Sequence, residues 1–305
     1  MYNVYKKGKG IVMAHIVSDY IERKAYAKIN LGLDVLRRRP DGYHEVKMVM
    51  QTVDIWDRLT FQATDTSGIT LSVNDGTLPV GKENLICRAA ELLMEEKDIR
   101  QGVKITLEKN IPVAAGMAGG STDAAAVFHG LNELFGLSMD REEMKKLGVR
   151  IGADVPYCIM GGTALSEGIG EILTPLPAPP QCVLVVAKPD IYVSTRFVYE
   201  NLHADTLKEH PDIDGMVSAI REGNLEGIAE RLGNVLETVT VKAYPVIEEI
   251  KCLMKEKGAR NALMSGSGPT VFGMFKERER AGEAADAIRD KKLAGQVFLT
   301  RFYEG

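Results

Sequence analysis

Three glycines within five residues, Gly116, Gly119 and Gly120, run straight into Ser121, Thr122 and Asp123 and then into an alanine-rich apolar stretch. Glycine lets a backbone take φ > 0 and come close to a ligand. Ser, Thr and Asp ahead of a periodic run are N-cap residues. The first turn of a helix carries unpaired N–H groups and the positive end of its dipole. Residues 112–126 therefore predict a phosphate-binding loop that opens onto a helix. Two other phosphate patterns fail. The spacing does not fit G-x-G-x-x-G. Residues 76–83 follow G-x-x-x-x-G-K but place Glu83 where a Mg²⁺-binding hydroxyl belongs, and a carboxylate repels a triphosphate.

A phosphate site needs reacting groups beside it. Lys28 stands in an otherwise apolar strand-like stretch, and Asp154 in the apolar run Ile151-Gly152-Ala153-Asp154-Val155-Pro156. Partly buried charges are tolerated mainly in pairs. Spacing alone leaves open a structural ion pair, two unrelated exposed side chains, or a carboxylate base toward a substrate hydroxyl with a lysine beside it. Asn30 shares a strand face with Lys28, so it is a candidate for positioning a substrate.

These residues must be carried by a scaffold of 305 residues, which suits two modest domains or one large one. The 38 basic and 42 acidic residues give a formal charge of −4, which argues against a dedicated nucleic-acid or membrane binder. No apolar run approaches a transmembrane length. Cys87, Cys158, Cys182 and Cys252 form no C-x-x-C pair, which argues against zinc and against a disulfide scaffold. Residues 1–22 read as a leader. Lys6, Lys7 and Lys9 lack an adequate apolar segment or cleavage site, so it is not a signal peptide. A frayed tail and a true start at Met13 fit equally well. A cytoplasmic location is expected. His15, His129, His203 and His210 are scattered and suggest no role.

Periodicity predicts strands over 23–36, 46–53, 57–63, 69–73 and 102–109, with a charged Pro-Asp-Gly turn at 37–42 and a helix over 84–96. The strand at 102–109 feeds the glycine loop. A helix from about 121 to Gly136 and a short one over 141–149 follow. Val155 before Pro156 predicts a break at 153–156. Four prolines within 175–180 mark the linker. Beyond it lie a strand at 182–188 and helices over 195–202, 214–221, 225–238, 244–257 and 278–290. Two apolar strands within 263–275 flank a glycine-rich turn, and a strand at 296–302 closes the chain. The mixture favours an α+β fold over a doubly wound sheet.

Residues 112–126 resemble the second motif of the galactokinase–homoserine kinase–mevalonate kinase–phosphomevalonate kinase (GHMP) superfamily. Residues 264–270 resemble its third motif and 25–31 its first. Ala27–Leu31, Arg39–His44, Glu83–Ile86 and Ile151–Cys158 narrow the resemblance to the branch that phosphorylates a cytidine-diphosphate sugar alcohol. The resemblance implies a two-domain GHMP kinase fold. A ribosomal protein S5 domain 2-like part would cover 1–178 and a ferredoxin-like α/β sandwich 179–305. It implies ATP as co-substrate, with Mg²⁺ bound mainly through phosphates and no protein metal ligand assigned. The partners implied are ATP and the sugar alcohol, with no nucleic acid or membrane, in a monomer or homodimer.

The resemblance also implies roles. Asp154 would be the base toward a 2-hydroxyl and Lys28 its electrostatic partner. Pro112, Val113, Ala114, Ala115, Gly116, Met117, Ala118, Gly119, Gly120, Ser121 and Thr122 would wrap the ATP phosphates, with Asn84 and Leu85 near adenine. Tyr43 and His44 would hold cytosine, Tyr199 would pack on its other face, and Asn30, Gly266, Ser267 and Gly268 would border the substrate. Met117 and Ala118 stand where Leu and Gly are frequent in the family, and Thr122 where Ser is common; each change keeps the apolar contact or the hydroxyl. Two other readings remain. A superfamily kinase for mevalonate, homoserine or a sugar has no use for Tyr43 and His44. A non-catalytic nucleotide-binding regulator has no need of Lys28 and Asp154.

Overall fold

The computed structural model describes residues 18 and 20–303, so the leader lies outside the described residues except for 18 and 20–22. β1 (Ile21–Arg38) and β2 (His44–Thr64) form a long antiparallel hairpin. β3 (Ile69–Val73), α1 (Leu85–Glu96) and β4 (Gly102–Glu108) follow, then α2 (Gly119–Leu134) and α3 (Arg141–Gly148). α4 (Val155–Met160), β5 (Thr163–Gly168) and β6 (Ile172–Leu176) complete the first half. The second half runs β7 (Val183–Lys188), α5 (Thr195–Glu200), α6 (Ile213–Arg221), α7 (Leu225–Glu230), β8 (Gly233–Asn234) and α8 (Glu237–Ala243). α9 (Val246–Glu256), β9 (Asn261–Met264), β10 (Val271–Phe275), α10 (Arg278–Asp290) and β11 (Gln296–Arg301) close it.

The fold is α+β, with two sheets. In the first, β2 pairs with β1 along its length, with β5 through residues 46–51 and with β4 through 58–64. The two strands read from the sequence at 46–53 and 57–63 are thus one strand that changes neighbours midway. The second sheet is antiparallel in the order β11-β7-β10-β9, the strand order of a ferredoxin-like sandwich. β8 joins the first sheet, beside β1, although it arises from the second half.

Three further expectations need correction. Residues 153–156 are not a break: Asp154 is the N-cap of α4, and Pro156 sits in its first turn, where a missing N–H costs nothing. The 225–238 helix is interrupted by β8, because Asn234 pairs with β1. The proline-rich linker begins later than 175, since Pro175 lies in β6, which pairs only with β5.

β1 is buried continuously from Ala27 to Val35, so both of its faces are covered. Ala27, Ile29 and Leu31 pack with Ile111, Met117, Leu184 and Phe272 in a core shared by both halves. Lys28 and Asn30 project to the opposite face. The halves also meet backbone to backbone. Gly116 has φ +70°, and a Cβ there would stand 2.3 Å from the Ser265 carbonyl oxygen. Gly120 has no such neighbour: its Cβ would meet only Leu85 Cδ1 at 3.4 Å.

Gly116→Ala should therefore destabilise the protein by about 2 kcal/mol or more, from strained φ plus overpacking. Gly120→Ala should stay within about 0.5 kcal/mol of the parent. Urea unfolding midpoints compare the two, and equal midpoints would refute the backbone contact as the source of the glycine requirement.

Candidate active site

A cavity of about 710 Å³ opens where β1, the glycine loop, α4, the 42–44 end of the hairpin, α5 and the 265–269 turn converge. Lys28 and Asp154 lie on its wall. The lysine side chain is 6% exposed and the aspartate 34%, with Nζ and Oδ2 3.8 Å apart. Lys28 Nζ donates to Asn30 Oδ1 at 2.7 Å, and the Lys28 N–H donates to the Met117 carbonyl at 3.2 Å. The ammonium is thus held by Asn30, and the backbone that carries it is tied to the loop. Asp154 makes no side-chain capping bond to α4, so its carboxylate stays available to the cavity.

The loop's helix does not start as its sequence suggests. The N-cap of α2 is Ala118, in left-handed geometry at φ 56°, and no side chain caps the helix. Ser121, Thr122 and Asp123 lie inside it. Thr122 Oγ1 donates to the Tyr26 carbonyl at 2.8 Å, and Asp123 receives Lys109 at 2.7 Å. Gly119, Gly120 and Ser121 border the cavity, so the uncapped helix terminus faces open space. Such an end, with its unpaired N–H groups, attracts an anion.

The 265–269 turn forms the opposite wall. Asn234 Nδ2 donates at 2.8 Å to both the Met264 and Gly266 carbonyls. Ser265 Oγ donates to the Gly116 carbonyl at 2.9 Å and accepts from the Asn30 N–H at 3.3 Å. Ser267 meets Thr195 of α5, hydroxyl to hydroxyl, at 2.9 Å.

At the far end, the His44 and Tyr199 rings lie 5.1 Å apart, inclined at 40°. Tyr43 is exposed beside them. Burial and then the Arg38 charge push the His44 pKa below its ordinary value. Burial and the Asp154 charge raise that of Tyr199, keeping a protonated phenol. Of the aromatics at 192–199, Tyr192 is 70% and Phe197 41% exposed, and Tyr199 alone borders the cavity.

Most of the residues read from the sequence converge here: Lys28, Asn30, Tyr43, His44, Leu85, Ala114 and Ala115, with Gly116, Ala118, Gly119, Gly120, Ser121, Asp154, Tyr199, Gly266 and Ser267. Asn84, Pro112 and Val113 line a smaller adjoining cavity of about 190 Å³, where Asn84 also caps α1 through the Ile86 N–H. Met117, Thr122 and Gly268 reach neither cavity. Met117 is core, and Gly268 serves the turn through its bond to the Ser265 carbonyl. Sequence reading missed Thr195, Arg196 and Glu200, whose i,i+4 spacing on α5 places them with Tyr199 on the cavity wall. It also missed Asn234, which carries no pattern of its own, and gave no role to Ser265, although that residue lies in the 264–270 motif. Among the described residues no three His, Cys, Asp or Glu side chains gather as a metal site, and no helix is long and apolar enough to cross a membrane.

Comparison with known proteins bears on this geometry. The family described as GHMP kinases N terminal domain matches residues 84–162, and GHMP kinases C terminal matches 216–294. The 4-diphosphocytidyl-2-C-methyl-D-erythritol kinase of Lachnoclostridium phytofermentans is 52% identical over 94% of this chain and 98% of its own. That of Lachnospira eligens is 51% identical over 93% and 98%. A crystal structure of 4-(cytidine 5'-diphospho)-2C-methyl-D-erythritol kinase superposes with a TM-score of 0.80 at 35% identity, covering 93% of this chain and 100% of that one. With nearly full coverage at half identity and both superfamily domains matched, the chain belongs to the 4-diphosphocytidyl-2-C-methyl-D-erythritol kinase family of GHMP kinases.

Proposed function

We propose that the protein transfers the γ-phosphoryl group of ATP to the 2-hydroxyl of 4-diphosphocytidyl-2-C-methyl-D-erythritol. The product is the 2-phosphate, in the non-mevalonate route to isoprenoid precursors. The observation that carries this reading is the placement of Lys28 and Asp154 between an uncapped helix terminus and the His44–Tyr199 pair.

The Asp154 carboxylate takes the proton from the 2-hydroxyl. That oxygen forms a bond to the γ-phosphorus as the bond to the bridging β-oxygen breaks and ADP leaves. Lys28, with donors left over after Asn30, steadies the oxygen as charge develops on it. Positioning and charge stabilisation supply most of the rate in this chemistry. The N–H groups of Gly119, Gly120 and Ser121, with the Ser121 hydroxyl, hold the phosphates. Gly116, Met117 and Ala118 shape the loop, and Asn84, Leu85, Pro112 and Val113 border the adenine. Cytosine stacks between Tyr43 and Tyr199, with His44 on its edge, and each base–aromatic contact is worth about 1–3 kcal/mol. Asn30, Gly266 and Ser267 border the methylerythritol. Mg²⁺ carried with ATP would be held mainly by the phosphates and water and would neutralise the charge of the transferring group. We also place the domain division at 178/179 and the protein in the cytoplasm.

ADP release with Mg-ATP tests the acceptor: turnover is expected with the cytidine compound and not with mevalonate, homoserine or galactose. Turnover with one of those alcohols instead would remove the cytosine reading and leave the kinase. Asp154→Asn should lower kcat by about 10²–10⁴-fold with ATP affinity within about threefold, and near-normal turnover would sink the base assignment. Lys28→Met should lower kcat as well.

His44 supplies a pH test. Its lowered pKa keeps the ring neutral above 6.5, so the acceptor KM should be flat from neutral pH upward. It should rise on the acid side as the ring gains a proton and loses its acceptor. A KM that rises through the neutral range would contradict that ionisation state.

A further inference from the structure

One largely buried cluster was given no role above, although two of its members, Lys109 and Asp123, reach the smaller cavity beside Asn84 and Pro112. Lys109, which follows β4, has a side chain 6% exposed between two deeper carboxyls, Asp57 at 0% and Asp123 at 4%. Its Nζ donates to Asp57 Oδ2 at 2.5 Å and to Asp123 Oδ2 at 2.7 Å. The three side chains come from β2, the residue just after β4 and the start of α2. Asp57 Oδ1 accepts the N–H groups of Asn110 at 2.6 Å and Ile111 at 2.8 Å, the residues that lead into the glycine loop.

The ammonium also abuts the helix terminus. Lys109 Nζ is 3.0 Å, and Ile111 Cγ2 3.1 Å, from where a Gly119 Cβ would stand. Gly119 is not among the residues with positive φ. Its backbone therefore does not ask for glycine; the space taken by Lys109 and Ile111 does. A buried ion pair is a poor source of stability compared with apolar packing. Its value here lies in directed bonds that hold three segments at fixed distances.

We propose that Lys109, gripped by Asp57 and Asp123, is a positioning residue for ATP: it sets the loop entry against the first turn of α2, so that the N–H groups of Gly119, Gly120 and Ser121 converge on one phosphate. The proposal rests on the loop being the ATP site. Two ionised carboxylates around one ammonium would leave a net negative charge behind an anion site. Burial pushes the Asp123 carboxyl well above its usual range, and its Oδ1 has no hydrogen-bond partner among the described residues. That shift favours the uncharged acid at Asp123. Asparagine at that position copies the protonated acid in shape and charge.

The test is calorimetric titration of the full chain with a non-hydrolysable Mg-ATP analogue, with thermal unfolding recorded on each variant. Asp123→Asn should bind within about twofold of the parent, and Lys109→Met should lose about tenfold or more. Gly119→Ala, which pushes the ammonium aside, should lose a comparable factor, and the double variant should bind no worse than Lys109→Met alone. The ATP KM should rise in these variants while the acceptor KM stays within about twofold, a split that general loosening of the fold does not give. Parental affinity in folded Lys109→Met, or additive losses in the double variant, overturns the proposal. If Lys109→Met does not fold, Gly119→Ala decides alone, since the atoms nearest its Cβ belong to the Lys109 and Ile111 side chains, and parental affinity there overturns it. An Asp123→Asn variant as weak as Lys109→Met also overturns it. A parent protein that does not bind the analogue overturns the ATP reading itself, whereas binding by parent and variants alike removes only the role of Lys109.

Discussion

The Ser265 hydroxyl joins three stretches of chain that have no sequence proximity. It donates to the Gly116 carbonyl, 149 residues away, and accepts from the Asn30 N–H, 235 residues away. A hydroxyl is suited to this because it can donate and accept at once. The contact demands that the glycine loop and the 265–269 turn touch through their backbones, and Gly116 permits that approach. Asn234 braces the turn from behind, and β8 holds Asn234 to β1. The cavity is the space these constraints leave: β1 forms its floor, the loop and the turn its facing walls. Move the turn away and Asn30 loses its backbone partner, and with it the fixed aim of the neighbouring lysine.

That aim matters because Lys28 and Asp154 are constrained unequally. The lysine is almost fully enclosed and bonded to Asn30, while the aspartate is one-third exposed at the start of a short helix. A separation of 3.8 Å is longer than a charge-assisted hydrogen bond of about 2.7–2.9 Å. A tighter pair would fill the carboxylate's acceptor sites and leave less room for a substrate hydroxyl. The looser pair keeps the field of the ammonium while leaving a carboxylate oxygen and ammonium hydrogens for a hydroxyl between them.

The sequence made the local periods legible and concealed the tertiary choices. Strands at 69–73 and 102–108 and helices at 85–96 and 278–290 emerged close to their expected bounds, because each has one buried face and a clear period. β2 was split in two because its partners change from β5 to β4 near Asp54–Asp57, and the apolar pattern changes with them. Asp57 looked like the start of a strand. Its burial depends on Lys109, 52 residues later, and no local period encodes such a partner. The helix over 225–238 was overrun because Gly233 and Asn234 are recruited by β1, a nonlocal pairing that outweighs helix propensity. Lys28 and Asp154 were legible for the opposite reason. Charges in apolar surroundings are conspicuous in any sequence, and the structure shows that these two are near each other.

The misread start of α2 follows from what the helix is for. Ser, Thr and Asp before an apolar run ordinarily bind their own helix's first N–H groups. Here those side chains lie inside the helix and turn elsewhere: Thr122 to the Tyr26 carbonyl and Asp123 to Lys109. The N-cap falls on Ala118, which has no side chain able to accept, in a left-handed conformation costing of order 1 kcal/mol. A helix end that satisfied itself would compete with an incoming phosphate for the same donors. Leaving the cap to an alanine forgoes about 1 kcal/mol of capping energy in the free protein and reserves the N–H groups for a ligand. The absent cap is therefore a stronger sign of an anion site than the polar residues that follow the glycines.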